Sequence, residues 1–259
     1  MGTDRGIWIT WYDVDEIGRD DYLRWVHDTY MPALARMPGV LWAAHYASVP
    51  KGARRASARE NAVRRTDDPA VATGSQYILL AGAEHAHVFG NPSPSELHAT
   101  LPDEGRKMLA ARSGVRINIM VEAGRIDGPE AQGYRHGMAP APCIQLGSFN
   151  CTPAHEEEVL AWYTKWRMPA MGMTPGCVRF RSLASVCGWA KHAVMYEFLS
   201  LEARNAHFVT HDDAHPEMKA VSDRMVQHLT HAPGSASVAV RTWPPLAKAE
   251  GGRRKEEGG

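Results

Sequence analysis

The residues best suited to chemistry stand at one position of a repeated stretch. Residues 25–39 read WVHDTYMPALARMPG and residues 162–176 read WYTKWRMPAMGMTPG, so Trp25, Met31, Pro32, Ala33, Pro38 and Gly39 recur as Trp162, Met168, Pro169, Ala170, Pro175 and Gly176. The residue before each Met-Pro differs: it is Tyr30 in the first copy and Arg167 in the second. Leu23, Val26, His27, Tyr30 and Leu34 step by three and four, as do Leu160, Tyr163, Thr164, Arg167 and Met171, which places both positions on the core-facing stripe of a helix. A guanidinium keeps its proton, so an inward Arg167 requires a carboxylate, a set of carbonyls or a bound anion. Glu197, the acidic residue of an otherwise apolar strand, is the expected partner. Such a pair can simply satisfy both groups. Beside a cavity, Arg167 would also anchor a substrate carboxylate or developing enolate, with Glu197 orienting it or moving a proton.

In the first copy the matching positions are read as Tyr30 and Ile78, so no ion pair can form there. Tyr30 instead offers a phenol, with His27 one turn earlier and His45 on the next strand, a set that could serve as general acid and base. Each histidine taken alone better fits a hydrogen-bonded packing role, and it is their combination with Tyr30 that points to chemistry. Trp8, Trp11, Tyr12, Trp42 and Tyr46 of the first copy, with Phe149, Arg179 and Tyr196 of the second, are the expected walls of a mostly apolar pocket for a flat ligand, although such aromatics also fill cores. In HFVTHDDAHPEM, His207, His211, Asp212, Asp213 and His215 could ligate zinc or iron. Pro216 and the paired aspartates read better as a helix start, so no metal site is assigned. There is no Gly-x-Gly-x-x-Gly, phosphate loop or Gly-x-Ser-x-Gly elbow, which disfavours nucleotide-dependent chemistry.

The elements that must hold these residues are duplicated. GIWITWYDV precedes the first copy and PCIQLGSFN the second; VLWAAHYAS and CVRFRSLAS follow the two Pro-Gly pairs. QYILLAGAE aligns with MYEFLSLEA through Tyr77 and Tyr196, and VRINIMVEA with SASVAVRTW. Each unit reads β, α, β, β, α, β, the ferredoxin-like order, with an antiparallel sheet covered by helices on one face. The first helices are expected to begin near Asp20 and Glu157 and to stop at Pro-Gly; the second ones span about 95–112 and 216–231. Two such sheets can bury their open faces on each other. The expected organisation is α+β: repeat 1 over 6–126 with an insertion of about 18 residues within 50–74, a Gly/Pro-rich linker over 127–142, repeat 2 over 143–246 and a disordered charged tail over 247–259. The insertion carries Lys51, Arg54, Arg55, Arg59, Arg64 and Arg65, and reads either as a solvated surface loop or as a basic lid over a pocket that admits anions.

Zero formal net charge across 259 residues gives no field to recruit nucleic acid, and no apolar run reaches the length of a membrane span, so a cytoplasmic protein with neither partner is expected. Cys143, Cys151, Cys177 and Cys187 are scattered and read as small hydrophobes.

This organisation resembles the dimeric α+β barrel superfamily, especially its EthD-like and stress-responsive branches, whose first helix often carries Trp-Tyr-x-x-Glu-His-x-Pro before a Pro-Gly and whose third strand carries Tyr-Glu. The matching residues are Trp25, Pro32, Pro38 and Gly39, then Trp162, Tyr163, Pro169, Pro175, Gly176, Tyr196 and Glu197; Tyr30 and Arg167 replace the histidine of that pattern. The resemblance implies the barrel fold, and its members include cofactor-free monooxygenases, cyclases, decarboxylases, isomerases and haem enzymes. The expected function is a cofactor-independent lyase, decarboxylase, isomerase or cyclase working by acid/base chemistry on a small aromatic compound, the fused barrel acting as a monomer or homodimer. The alternatives are an oxygenase, cofactor-free or haem-dependent, and a non-catalytic binding protein.

Overall fold

The computed structural model describes residues 3–56, 60–134, 138–208 and 216–246. The tail after 246 and the stretch from His211 to His215 lie outside the described residues.

Among the described residues, alternating apolar runs make nine strands: β1 (Gly6–Val14), β2 (Val40–Ser48), β3 (Tyr77–Ala83), β4 (Arg112–Asp127), β5 (Cys143–Cys151), β6 (Cys177–Cys187), β7 (His192–Phe198), β8 (Leu229–His231) and β9 (Ser237–Trp243). Eight of them close into an antiparallel barrel in the order β7-β6-β4-β1-β3-β2-β9-β5, with β5 pairing back onto β7. Within the first half the order is β4-β1-β3-β2, and within the second it is the same, β9-β5-β7-β6. The seams between halves are β4 on β6 and β2 on β9. Closure leaves no free sheet edge among these eight strands, and β8 pairs with the end of β5.

The barrel interior is packed solid. Trp11, Trp42, Tyr46, Met120, Leu146 and Met195 fill it, so three of the aromatics expected to line a ligand pocket are core. One end is plugged by charge. Asp4, wholly buried, bonds Arg181 and Arg125 at 2.8 Å each and accepts from Trp42 Nε1; the two guanidinium groups hold its carboxyl down at about 2 against the opposing effect of burial.

Two helices, α1 (residues 19–35) and α4 (residues 156–173), lie on the outer faces of the two half-sheets, each making its own apolar cluster. Both contain one turn of π-helix, Val26–Tyr30 and Tyr163–Arg167, directly before Met-Pro. Pro32 and Pro169 lack the N–H that the regular ladder would use, and a widened turn accommodates the loss. Both helices end before Gly39 and Gly176, whose φ values of 82° and 78° are the left-handed geometry expected at such a stop. The second helix of the first half is split into α2 (Pro94–Ala99) and α3 (Asp103–Ala110) by Pro102. In the second half, residues 201–208 form α5 and Pro216–Val226 form α6, which begins at the anticipated proline.

Strand register corrects one sequence alignment. Trp8 pairs with Ala81, whereas Gln145, its counterpart in the repeat, pairs with Tyr196. Tyr196 therefore corresponds to Ala81 and not to Tyr77, and the first-half insertion is longer than the expected 18 residues or so.

Candidate active site

The π-turn of α4 turns Tyr163 and Arg167 toward the outer face of the second half-sheet, where Trp162, Tyr196 and Phe208 complete an aromatic wall. Arg167 is 8% exposed; its guanidinium carbon lies 5.9, 5.6 and 5.5 Å from the ring centroids of Trp162, Tyr196 and Phe208, and Nη2 donates to the Tyr196 hydroxyl at 3.2 Å. The anticipated ion pair with Glu197 does not form. Neighbours along a strand face opposite ways, so Tyr196 meets Arg167 while Glu197 points into the barrel, bonding Arg181 Nε at 3.0 Å and accepting from the Ala141 N–H. Glu197 is thus part of the barrel plug.

A second buried guanidinium reaches the same space from α5. Arg204, 1% exposed, donates through Nε and Nη2 to Gln145 Oε1 at 3.0 and 2.7 Å and through Nη1 to the Arg55 carbonyl and Asn205 Oδ1. All these acceptors are neutral. Burial, reinforced by Arg54, lowers its pKa to about 10, so it remains a cation at neutral pH. His231 on β8 bonds Ser235 Oγ through Nδ1 at 3.1 Å, and burial beside Arg65 lowers it to about 4, leaving a neutral imidazole. Burial pushes the Tyr163 phenol well above its ordinary value.

Between these groups lies a cavity of about 130 Å³, walled otherwise by Val194, Val226, Leu229 and Val238. Its roof comes from the other half. The first-half insertion crosses the seam, and backbone bonds from His231 N to Arg64 O and from Thr66 N to His231 O tie it to β8. Arg54, Val63 and Arg65 of the insertion line the cavity, with Glu60 bonding Arg54 at 2.8 and 2.5 Å. Of the two readings of this segment, the basic cover over a pocket matches its position.

The first half keeps the same cleft but fills it. Tyr30 bonds His98 at 2.7 Å, not His45. His45 bonds the Tyr12 hydroxyl at 2.7 Å through Nε2, and His27 and Thr242 at 2.9 Å through Nδ1. Arg112 sits 4.4 Å over the Tyr12 ring and 5.2 Å over Tyr30, donating to Tyr22 at 2.5 Å. The expected acid and base, Tyr30 and His45, are therefore separated, each bonded to another partner, with Trp8 packed against His98 and Arg112 Nη2 buried among the rings without a hydrogen bond. Of the second-half expectations, Phe149 stacks on Tyr163 at 6.2 Å beside the cavity, and Arg179 braces Asp127 and the Tyr134 carbonyl away from it. Arg204 and His231 carry no sequence signal, because neither belongs to a periodic stripe.

No protein-family model matches the sequence, and no curated protein is similar to it in sequence. Solved structures do share its architecture. A protein from Fusobacterium nucleatum provisionally named a monooxygenase superposes with a TM-score of 0.57 at 7% identity, covering 93% of this chain and 94% of that one. An anthrone oxidase-like protein gives 0.57 at 12% identity over 92% and 91% of the two chains, and a provisionally named monooxygenase from Lactobacillus acidophilus gives 0.50 at 12% identity over 92% and 94%. None of these names is that of a lyase, decarboxylase, isomerase or cyclase; they are those of oxygenases and an oxidase, and the expectation of a lyase, decarboxylase, isomerase or cyclase is withdrawn. No helix among the described residues is long and apolar enough to cross a membrane. At these identities the likeness is one of fold: this chain, like those proteins, has a mixed α+β fold built on an eight-stranded antiparallel barrel.

Proposed function

We propose that the chain is an oxygenase acting on an anionic aromatic compound in the second-half cavity, without a tightly held cofactor, and that it is a tandem of two ferredoxin-like repeats over 6–126 and 143–246. One observation carries the reading: two buried guanidinium groups, Arg167 and Arg204, share an aromatic-walled cavity with a neutral imidazole and a protonated phenol. That set stabilises a substrate once it has lost a proton. The oxygenase and oxidase names carried by proteins of the same fold support the choice of reaction.

An electron-rich aromatic with an activated methylene gives the simplest balanced course. His231 takes one methylene proton, and the resulting enolate is held by the arginines, whose charge also raises its population. The enolate passes one electron to dioxygen, and the radical pair combines to form a carbon–oxygen bond. The peroxide takes the proton back from His231; loss of the remaining C–H proton with O–O cleavage releases water and leaves a carbonyl. One dioxygen is consumed, the methylene is oxidised, and no external reductant is needed. In this course Tyr163, on the cavity wall, donates to the developing oxyanion. The test is dioxygen uptake by the purified protein with anthrone, above the rate without protein. One dioxygen consumed per anthraquinone formed is expected; absence of uptake across anthrones and naphthols rejects the reading, and a Soret band in active protein rejects its cofactor-free part.

A further inference from the structure

A second hollow, of about 410 Å³, opens where β2 meets β9, and it abuts the cavity: Arg54, Ala236 and Val238 line both. Its chemistry differs from that of the cavity. Arg19 and Lys51 face it, and among the described residues no acidic side chain does. Arg54 is neutralised by Glu60, which lies on the cavity side. Arg19 spends only Nη2, on the Val14 carbonyl at 3.3 Å, and its buried Nε makes no bond. Among the described residues Lys51 makes none either. The amide oxygen of Gln76, also on the wall, accepts from the Val14 N–H, which leaves its NH2 group as donor. A pocket that offers donors and positive charge, with the Gln76 amide oxygen already engaged, suits an oxyanion.

Resting on the reading of the cavity given above, we infer that the substrate carries a second acidic group, a carboxylate or phosphate arm, which crosses Arg54 and Val238 into this hollow while the aromatic head occupies the cavity. The first-half insertion would then do two jobs, roofing the cavity with Arg54 and Arg65 and supplying Lys51 to the arm.

The experiment is calorimetric titration of the full chain with 2-naphthol and with 2-naphthols bearing carboxylate or phosphate on arms of increasing length. One arm length is expected to bind at least roughly tenfold more tightly than 2-naphthol, the scale of one charge-assisted contact. In Arg19→Met/Lys51→Met that ratio should fall toward one, and Arg19→Lys/Lys51→Arg should restore it. Carboxylate and phosphate arms compared at equal length identify the acid. A ratio near one at every length in the wild type, or a gain that survives the double Met variant, overturns the inference. So does tight binding of inorganic phosphate with no gain from the arm, which would make the hollow a site for a free anion. If 2-naphthol itself fails to bind, the cavity reading fails; phosphate titration of wild type against the double variant then still decides whether the hollow holds an oxyanion.

Discussion

The two helix–sheet clefts start from the same strand order and the same helix with a widened turn, and they end as opposites. The first is closed by its own polar groups: Tyr30 answers His98, His45 answers Tyr12, and Arg112 lies among three tyrosines. The second is open. Where the first half has Trp8 opposite Ala81, the second has Gln145 opposite Tyr196, and the shorter Gln145 both leaves room and supplies the acceptor that orients Arg204. Buried polar residues with space beside them are free to meet a ligand, whereas those packed against one another specify the core.

The comparison can be broken at four points. If the second cleft does the chemistry, Arg204→Met lowers kcat for anthrone-dependent dioxygen uptake by about 10²–10³-fold, the usual cost of removing a donor to a developing oxyanion, while far-UV circular dichroism stays unchanged. A drop of less than threefold would move the site elsewhere. Next comes the plug that ties the halves together: Asp4→Ala takes one buried carboxylate from Arg181 and Arg125, leaving Arg181 to Glu197 and Arg125 to Glu122, and is expected to cost about 3 kcal/mol in urea unfolding, with both halves melting in one transition. Two separate transitions would mean that the clefts belong to independent bodies.

Acid should also weaken the fold. His231 and His98 are each lowered to about 4, and His45 well below its ordinary value, mainly by burial. The folded protein keeps these imidazoles neutral, whereas the unfolded chain protonates them below about 6.5, so stability is present above that value and falls as pH drops toward about 4. For His231 the loss approaches about 3 kcal/mol, and His231→Gln should remove that share from the pH dependence of the urea midpoint. The smallest effect is Tyr30→Phe, which loses the His98 hydrogen bond for about 1 kcal/mol and leaves dioxygen uptake within twofold. A large loss of turnover would return the first cleft to the mechanism.

Much of the scaffold was legible. The repeated Trp, Met-Pro and Pro-Gly positions gave both first helices and their stops, because proline and glycine act on the backbone wherever they occur. The helical stripe turned Tyr163, Arg167 and Met171 inward as expected, whereas Leu160 and Thr164 of the same stripe are exposed. The strand pair at Tyr77 and Tyr196 misled, since matching tyrosines carry no register; ladder pairing across the sheet sets it. The same limit produced the false Arg167–Glu197 pair, two suitable charges on opposite faces of one strand.

What the sequence determined by itself is the α+β class, the two helices that stop at Pro-Gly and the burial of a cation on α4, all consequences of local periodicity and backbone restrictions. Only the tertiary structure decided which half is hollow, that the insertion of one half roofs the cavity of the other, and that Arg204 and His231 meet there. Those facts depend on contacts between residues far apart in the chain, where side-chain volume and the closure of the barrel set what fits, and no local pattern encodes them.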